Sequence, residues 1–86
     1  MPTTVLHVER VDKSRYTGRL VAYDDYLVTG VEVGAHTVQF HTTSEWLASI
    51  CQRARELERP ASIDWREGRI GKHIVGVSIL AREAVA

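Results

Sequence analysis

Apolar and polar residues alternate along the N-terminal half of the chain. Successive side chains of a strand point to opposite faces, so this alternation predicts β structure. Thr4–Val11 reads as a first strand, and the polar run Asp12-Lys13-Ser14-Arg15 as a turn. Tyr16–Tyr23 and Tyr26–Val33 read as two further strands separated by Asp24-Asp25. His36–His41 follows as a short strand after Gly34-Ala35, a pair suited to a tight hairpin.

These turns set a register. A tight loop at Asp24-Asp25 places Tyr23 opposite Tyr26 and Val21 opposite Val28. A tight loop at Gly34-Ala35 places Val31 opposite Val38 and Thr29 opposite Phe40. One face of the meander then collects Leu20, Ala22, Leu27, Thr29, Val31, Val33, Val38 and Phe40, with His36 at its end, and is the expected core. The other collects Arg19, Val21, Tyr23, Tyr26, Val28, Glu32, Thr37, Gln39 and His41.

The period then changes. Trp46, Leu47, Ile50, Ala54 and Leu57 recur at three- and four-residue steps, predicting a helix over roughly 43–58. Thr42 fits its N-cap with Glu45 completing a capping box, and Pro60 disfavours helical geometry at Arg59. Beyond it, Ala61, Ile63 and Trp65 alternate with Ser62, Asp64 and Arg66 as a half-buried strand. Glu67–Lys72 is a glycine-containing loop. His73–Ala81 is a last strand with Val75, Val77 and Ile79 on one face, and Gly76 inside it marks a bulge or a close backbone approach. Trp46 and Trp65 are both assigned to the core.

The expected fold is mainly β with one helix, a single domain over residues 1–86, in the order β-β-β-(β)-α-β-β. This order resembles the OB-fold, a small Greek-key barrel, with His36–His41 either an extra strand or the continuation of a bent third one. An SH3-like barrel or a two-layer α+β sheet fits the same elements.

Composition narrows the function. Net charge is zero, unlike the basic excess of a general polyanion binder. Nine of the eleven basic residues are arginine and asparagine is absent, a bias that reads as genomic base composition. The lone Cys51 permits no internal disulfide. With neither a signal-peptide pattern nor a membrane-length apolar run, a cytoplasmic location without membrane contact is expected. His7, His36, His41 and His73 lack metal-ligand spacing, so no metal or other cofactor is expected. Gly68-Arg69-Ile70-Gly71-Lys72 lacks the spacing and the following Ser or Thr of a phosphate loop, and it leads into a strand. No nucleophile, base and carboxylate can be assembled, so no enzyme is expected.

The OB resemblance implies a ligand face on the second and third strands, flanked by two loops. In this chain that face would be Arg19, Val21, Tyr23, Tyr26 and Val28, with Lys13 and Arg15 in one loop and Arg66, Arg69 and Lys72 in the other. Aromatic and arginine anchors among apolar neighbours suit a protein interface. The leading expectation is therefore a non-enzymatic interaction or assembly module, binding a protein partner or its own copy as a homodimer. Tyrosine stacking beside cations also suits single-stranded DNA or RNA, the alternative, although Asp24, Asp25 and Glu32 oppose phosphate.

Overall fold

A computed structural model describes residues 2–82. Its elements are β1 (Thr3–Thr17), β2 (Ala22–Glu32), β3 (Thr37–Thr42), α1 (Glu45–Glu56), β4 (Ala61–Gly68) and β5 (Gly71–Ile79). The strands close into a barrel in the ring order β1-β2-β3-β5-β4. The expected class and order hold, with three strands before the helix and closure in place of an open two-layer sheet.

The polar run Asp12–Arg15 is not a turn, and neither is Asp24-Asp25. Both lie inside strands, and the chain reverses between them at Gly18–Val21, where the Gly18 N–H donates to the Val21 carbonyl at 2.7 Å. Tyr16 therefore pairs with Tyr23, and Lys13 with Tyr26. The outer halves of β1 and β2 carry polar residues because they leave the barrel. Beyond Asp12 and Asp25 they pair only with each other, forming a two-stranded arm that gives the molecule a long axis of 53 Å against 23 Å for the next.

The β2–β3 register differs from expectation by one residue. The loop holds Val33, Gly34 and Ala35, with Gly34 at φ 76° and the Ala35 N–H donating to the Glu32 carbonyl. A positive φ there favours glycine. Val28 then faces Phe40, and Gly30 faces Val38. A one-residue slip turns a whole strand over. Tyr26 and Val28, expected outside, are buried, while Leu27 and Val31, expected inside, lie half-buried on the other face together with Thr29, which is buried there. Val38 and Phe40 face inward as expected.

Two bulges correct the inward pattern elsewhere. Glu9 is the extra residue on β1, so Leu6, Val8 and then Val11 all face the core. Val75 is the extra residue on β5, so Ile74 replaces it inside while Val77 and Ile79 keep their places. Gly76 marks that bulge and lies close to the Asp64 side chain, as its position in the strand implied.

The helix packs mainly against β1 and β5. Ser44, not Thr42, is its N-cap and accepts from the Leu47 N–H at 3.2 Å; the Thr42 hydroxyl accepts from the Ser44 N–H instead. The buried stripe is Ala48, Cys51 and Ala54, small residues that allow close approach. Trp46 is thereby rotated outward and is 72% exposed, contrary to its expected core role. Trp65 does pack on the core, against Phe40, and its indole N–H donates to the Thr4 hydroxyl at 2.9 Å. No helix among the described residues is long and apolar enough to cross a membrane.

Candidate functional site

The residues expected to share one binding face are divided among three environments. Val28 is in the core. Tyr26 is buried at the root of the arm, where it borders a hollow of about 330 Å³ against the start of α1. Arg19, Val21 and Tyr23 do come together, on the arm. The reason is the turn at Gly18–Val21, which puts Arg19 and Val21 at the tip and Tyr23 against Tyr16, ring centroids 4.9 Å apart.

The arm's two faces differ in chemistry because partners alternate along the ladder. One face carries Asp24 with Arg15 opposite it at 3.3 Å and Lys13 diagonal to it at 3.6 Å. These cations are strand residues rather than loop residues, and a carboxylate already answers them. Arg10 is likewise met by Asp12 at 2.8 Å. The other face carries the Tyr16–Tyr23 pair. At the tip Leu20 is 97% exposed and Val21 57%, so an apolar point projects from a charge-compensated stalk. Leu20 was expected in the core. Only its place beyond the last ladder pair, Thr17 with Ala22, explains its exposure.

The second surface lies where β3 meets the β4–β5 hairpin. Asp25, Leu27, Gln39, His41, Glu67, Ile70 and Lys72 are among the walls of a cleft of about 370 Å³. Arg66, Arg69 and Lys72 belong to this hairpin, though only Arg69 is a loop residue, Arg66 lying in β4 and Lys72 in β5, and among the described residues none has a carboxylate within ion-pair distance. The Lys72 ammonium instead lies 5.0 Å from the Trp65 ring centroid and 5.8 Å from that of Phe40, a cation–π arrangement.

Asp25 and His41, in the cleft wall, form a polar cluster with His73 that no local pattern in the chain foretells. The His41 and His73 rings meet edge to face at 5.1 Å, and His41 Nδ1 lies 3.4 Å from Asp25 Oδ1. That contact lacks hydrogen-bond alignment. Both His41 nitrogens and Asp25 Oδ1 are buried without a hydrogen-bond partner. Each such atom costs about 1–3 kcal/mol. Burial holds the His73 imidazole below its usual range, helped by neighbouring His41 and Arg66 and opposed by Asp25. No group of three or more His, Cys, Asp or Glu among the described residues is arranged to hold a metal ion. Cys51 is buried, and burial pushes its thiol up to about 11, away from nucleophilic use.

No family model, curated protein or solved structure matches the chain.

Proposed function

We propose that this chain is a non-enzymatic interaction module on an OB-type barrel, docking a protein partner through the β1–β2 arm. The element order, the helix between the third and fourth strands and the closure of five strands support the OB assignment. The observation that carries the docking assignment is the tip. Leu20 and Val21 are exposed beyond a stalk whose cations are already neutralised, with Tyr16, Tyr23 and Arg19 beside them. Aromatic and arginine anchors around an apolar point are the composition of interface centres. A two-stranded ribbon is at best marginally stable in water, and a partner closing over it supplies the missing burial.

The experiment is site-specific photo-crosslinking in cells that make the protein. A photoreactive residue is placed at Leu20 or Val21, with exposed Glu56 on the helix as control. A discrete adduct from the arm positions alone is expected. No adduct from the arm, or the same adducts from Glu56, refutes the reading. Sedimentation equilibrium of the purified chain separates the two kinds of partner. A dimer that Leu20→Glu weakens at least about tenfold, the loss of roughly 1.4 kcal/mol of apolar burial, makes the partner a second copy.

One observation favours the nucleic-acid alternative. Arg66, Arg69 and Lys72 share the β4–β5 hairpin without an ion pair among the described residues, and Lys72 lines the cleft beside Leu27 and Gln39. Binding of a single strand through these three would lose affinity with a log–log salt slope near about −2. Anisotropy of a labelled oligonucleotide at low and moderate salt measures it, and no binding at low salt removes this alternative.

A further inference from the structure

β3 and β5 run parallel and are joined by one bridge, His41 with His73. Both strands extend further toward their N-terminal ends, β3 back to Thr37 and β5 back to Gly71. Two residues before the bridge stand Gln39 and Gly71, and both line the cleft described above. The ladder therefore opens into the cleft where it would otherwise continue. Thr37–Phe40 is paired to β2 on one side and has no strand partner among the described residues on the other.

Such an edge is a template for another strand, and proteins usually guard it with charge, proline or a bulge. The free edge of β1 along the arm is guarded in this way by Arg10, Asp12, Lys13 and Arg15. Thr37-Val38-Gln39-Phe40 has none of these devices. A second observation points to a ligand in the same place. His41, 9% exposed, keeps two unpartnered ring nitrogens there beside the unpartnered Asp25 Oδ1. Leu27 and the exposed Ile70 add apolar walls.

We propose that this seam binds a short extended peptide segment of a partner protein, added as a strand along Thr37–Phe40. The peptide's backbone pairs with the open edge, an apolar side chain packs against Leu27 and Ile70, and a polar side chain meets His41 and Asp25. This is the strand-addition mode of recognition, in which backbone hydrogen bonds give affinity and side-chain pockets give specificity. Four residues of edge offer roughly 13 Å of pairing. Asp25 and Glu67, both in the cleft walls, disfavour a phosphate backbone as the occupant. The inference does not rest on the arm, which lies on a different part of the barrel.

A phage-displayed library of random short peptides, selected on the full chain, supplies the probe. Enriched peptides are synthesised and mapped by amide NMR and hydrogen exchange. Shifts and new protection are expected at Thr37–Phe40 and at Gly71–His73. Ile70→Glu, an exposed substitution that leaves the barrel's spectrum intact, is expected to weaken binding at least tenfold, and Leu20→Glu to leave it unchanged. The proposal is overturned if no peptide is enriched, if the enriched peptides map to the arm, or if Ile70→Glu binds as well as the parent. It is also overturned if oligo-dT, titrated in parallel, shifts the seam amides in place of the peptides.

Discussion

Gly30→Ala tests how closely β1 is laid on β2. Gly30 faces inward between Val8 and Val38. A Cβ there would lie 2.4 Å from the His7 carbonyl oxygen, 2.8 Å from Leu6 Cγ and 3.0 Å from Leu6 Cδ2. Ordinary C···O approach is roughly 3.3–3.6 Å, so about 1 Å must be found. The obstacle is backbone within the β1–β2 ladder, and Leu6 is itself fully buried. Neither can swing away. Overpacking by a methyl costs about 1–3 kcal/mol, and a backbone obstacle puts this case near the top of that range. Loss of glycine's chain entropy returns about 0.5–1 kcal/mol. The net cost is about 2 kcal/mol, which for a domain of this size lowers Tm by about 10 °C. Urea and thermal unfolding followed by far-UV circular dichroism measure it, with an unchanged denaturant slope. Gly34→Ala is the control. It meets nothing within 4 Å, and its cost comes only from φ 76°, about 1–2 kcal/mol. A Gly30→Ala protein within about 0.5 kcal/mol of the parent, the usual span of neutral substitutions, would refute the close approach of the two strands.

Three other outcomes follow from particular side chains. The folded state binds a proton at His73 less readily than the unfolded chain, whose imidazole titrates near 6.5. Stability is therefore full above that pH and is lost as pH falls through it toward the folded-state value; His73→Gln should remove this part of the slope, and an unaltered slope in urea titrations would contradict it. Cys51, raised to about 11 by burial, should resist an aromatic disulfide reagent in the native protein and react on unfolding, with prompt native labelling the contrary result. Ser44→Ala should cost about 1 kcal/mol as the loss of an N-cap, whereas Trp46→Ala should stay within about 0.5 kcal/mol because the ring is exposed. Equal costs for the two in chemical denaturation would contradict the cap and the rotated helix face.

The candidate surfaces were only partly legible. Arg19, Val21 and Tyr23 were singled out for their chemistry and do share a surface, but on an arm that the assumed turns concealed. Arg66, Arg69 and Lys72 share one hairpin because they are close in sequence, but the expected loop shrinks to Arg69-Ile70, with Arg66 in β4 and Lys72 in β5. Asp25, His41 and His73 were each visible and individually dull. Nothing local relates them, since they meet only through the β2–β3 pairing and the single β3–β5 bridge.

By itself the sequence determined the class and order of elements, the presence of one helix, the inward positions of Val38, Phe40 and Ile63, and the irregularity marked by Gly76. These follow from period, glycine placement and local stereochemistry. Tertiary structure decided where β1 turns, which face of β2 is inside and which side of α1 is buried. A polar run such as Asp12–Arg15 has the same composition in a turn and in a strand exposed on both faces. Only pairing with a neighbour tells the two apart. A strand's side chains repeat every two residues, so one residue more in the Val33–Ala35 loop exchanged inside for outside along β2. That single count sent Val28 into the core and left Leu27 on the wall of the cleft.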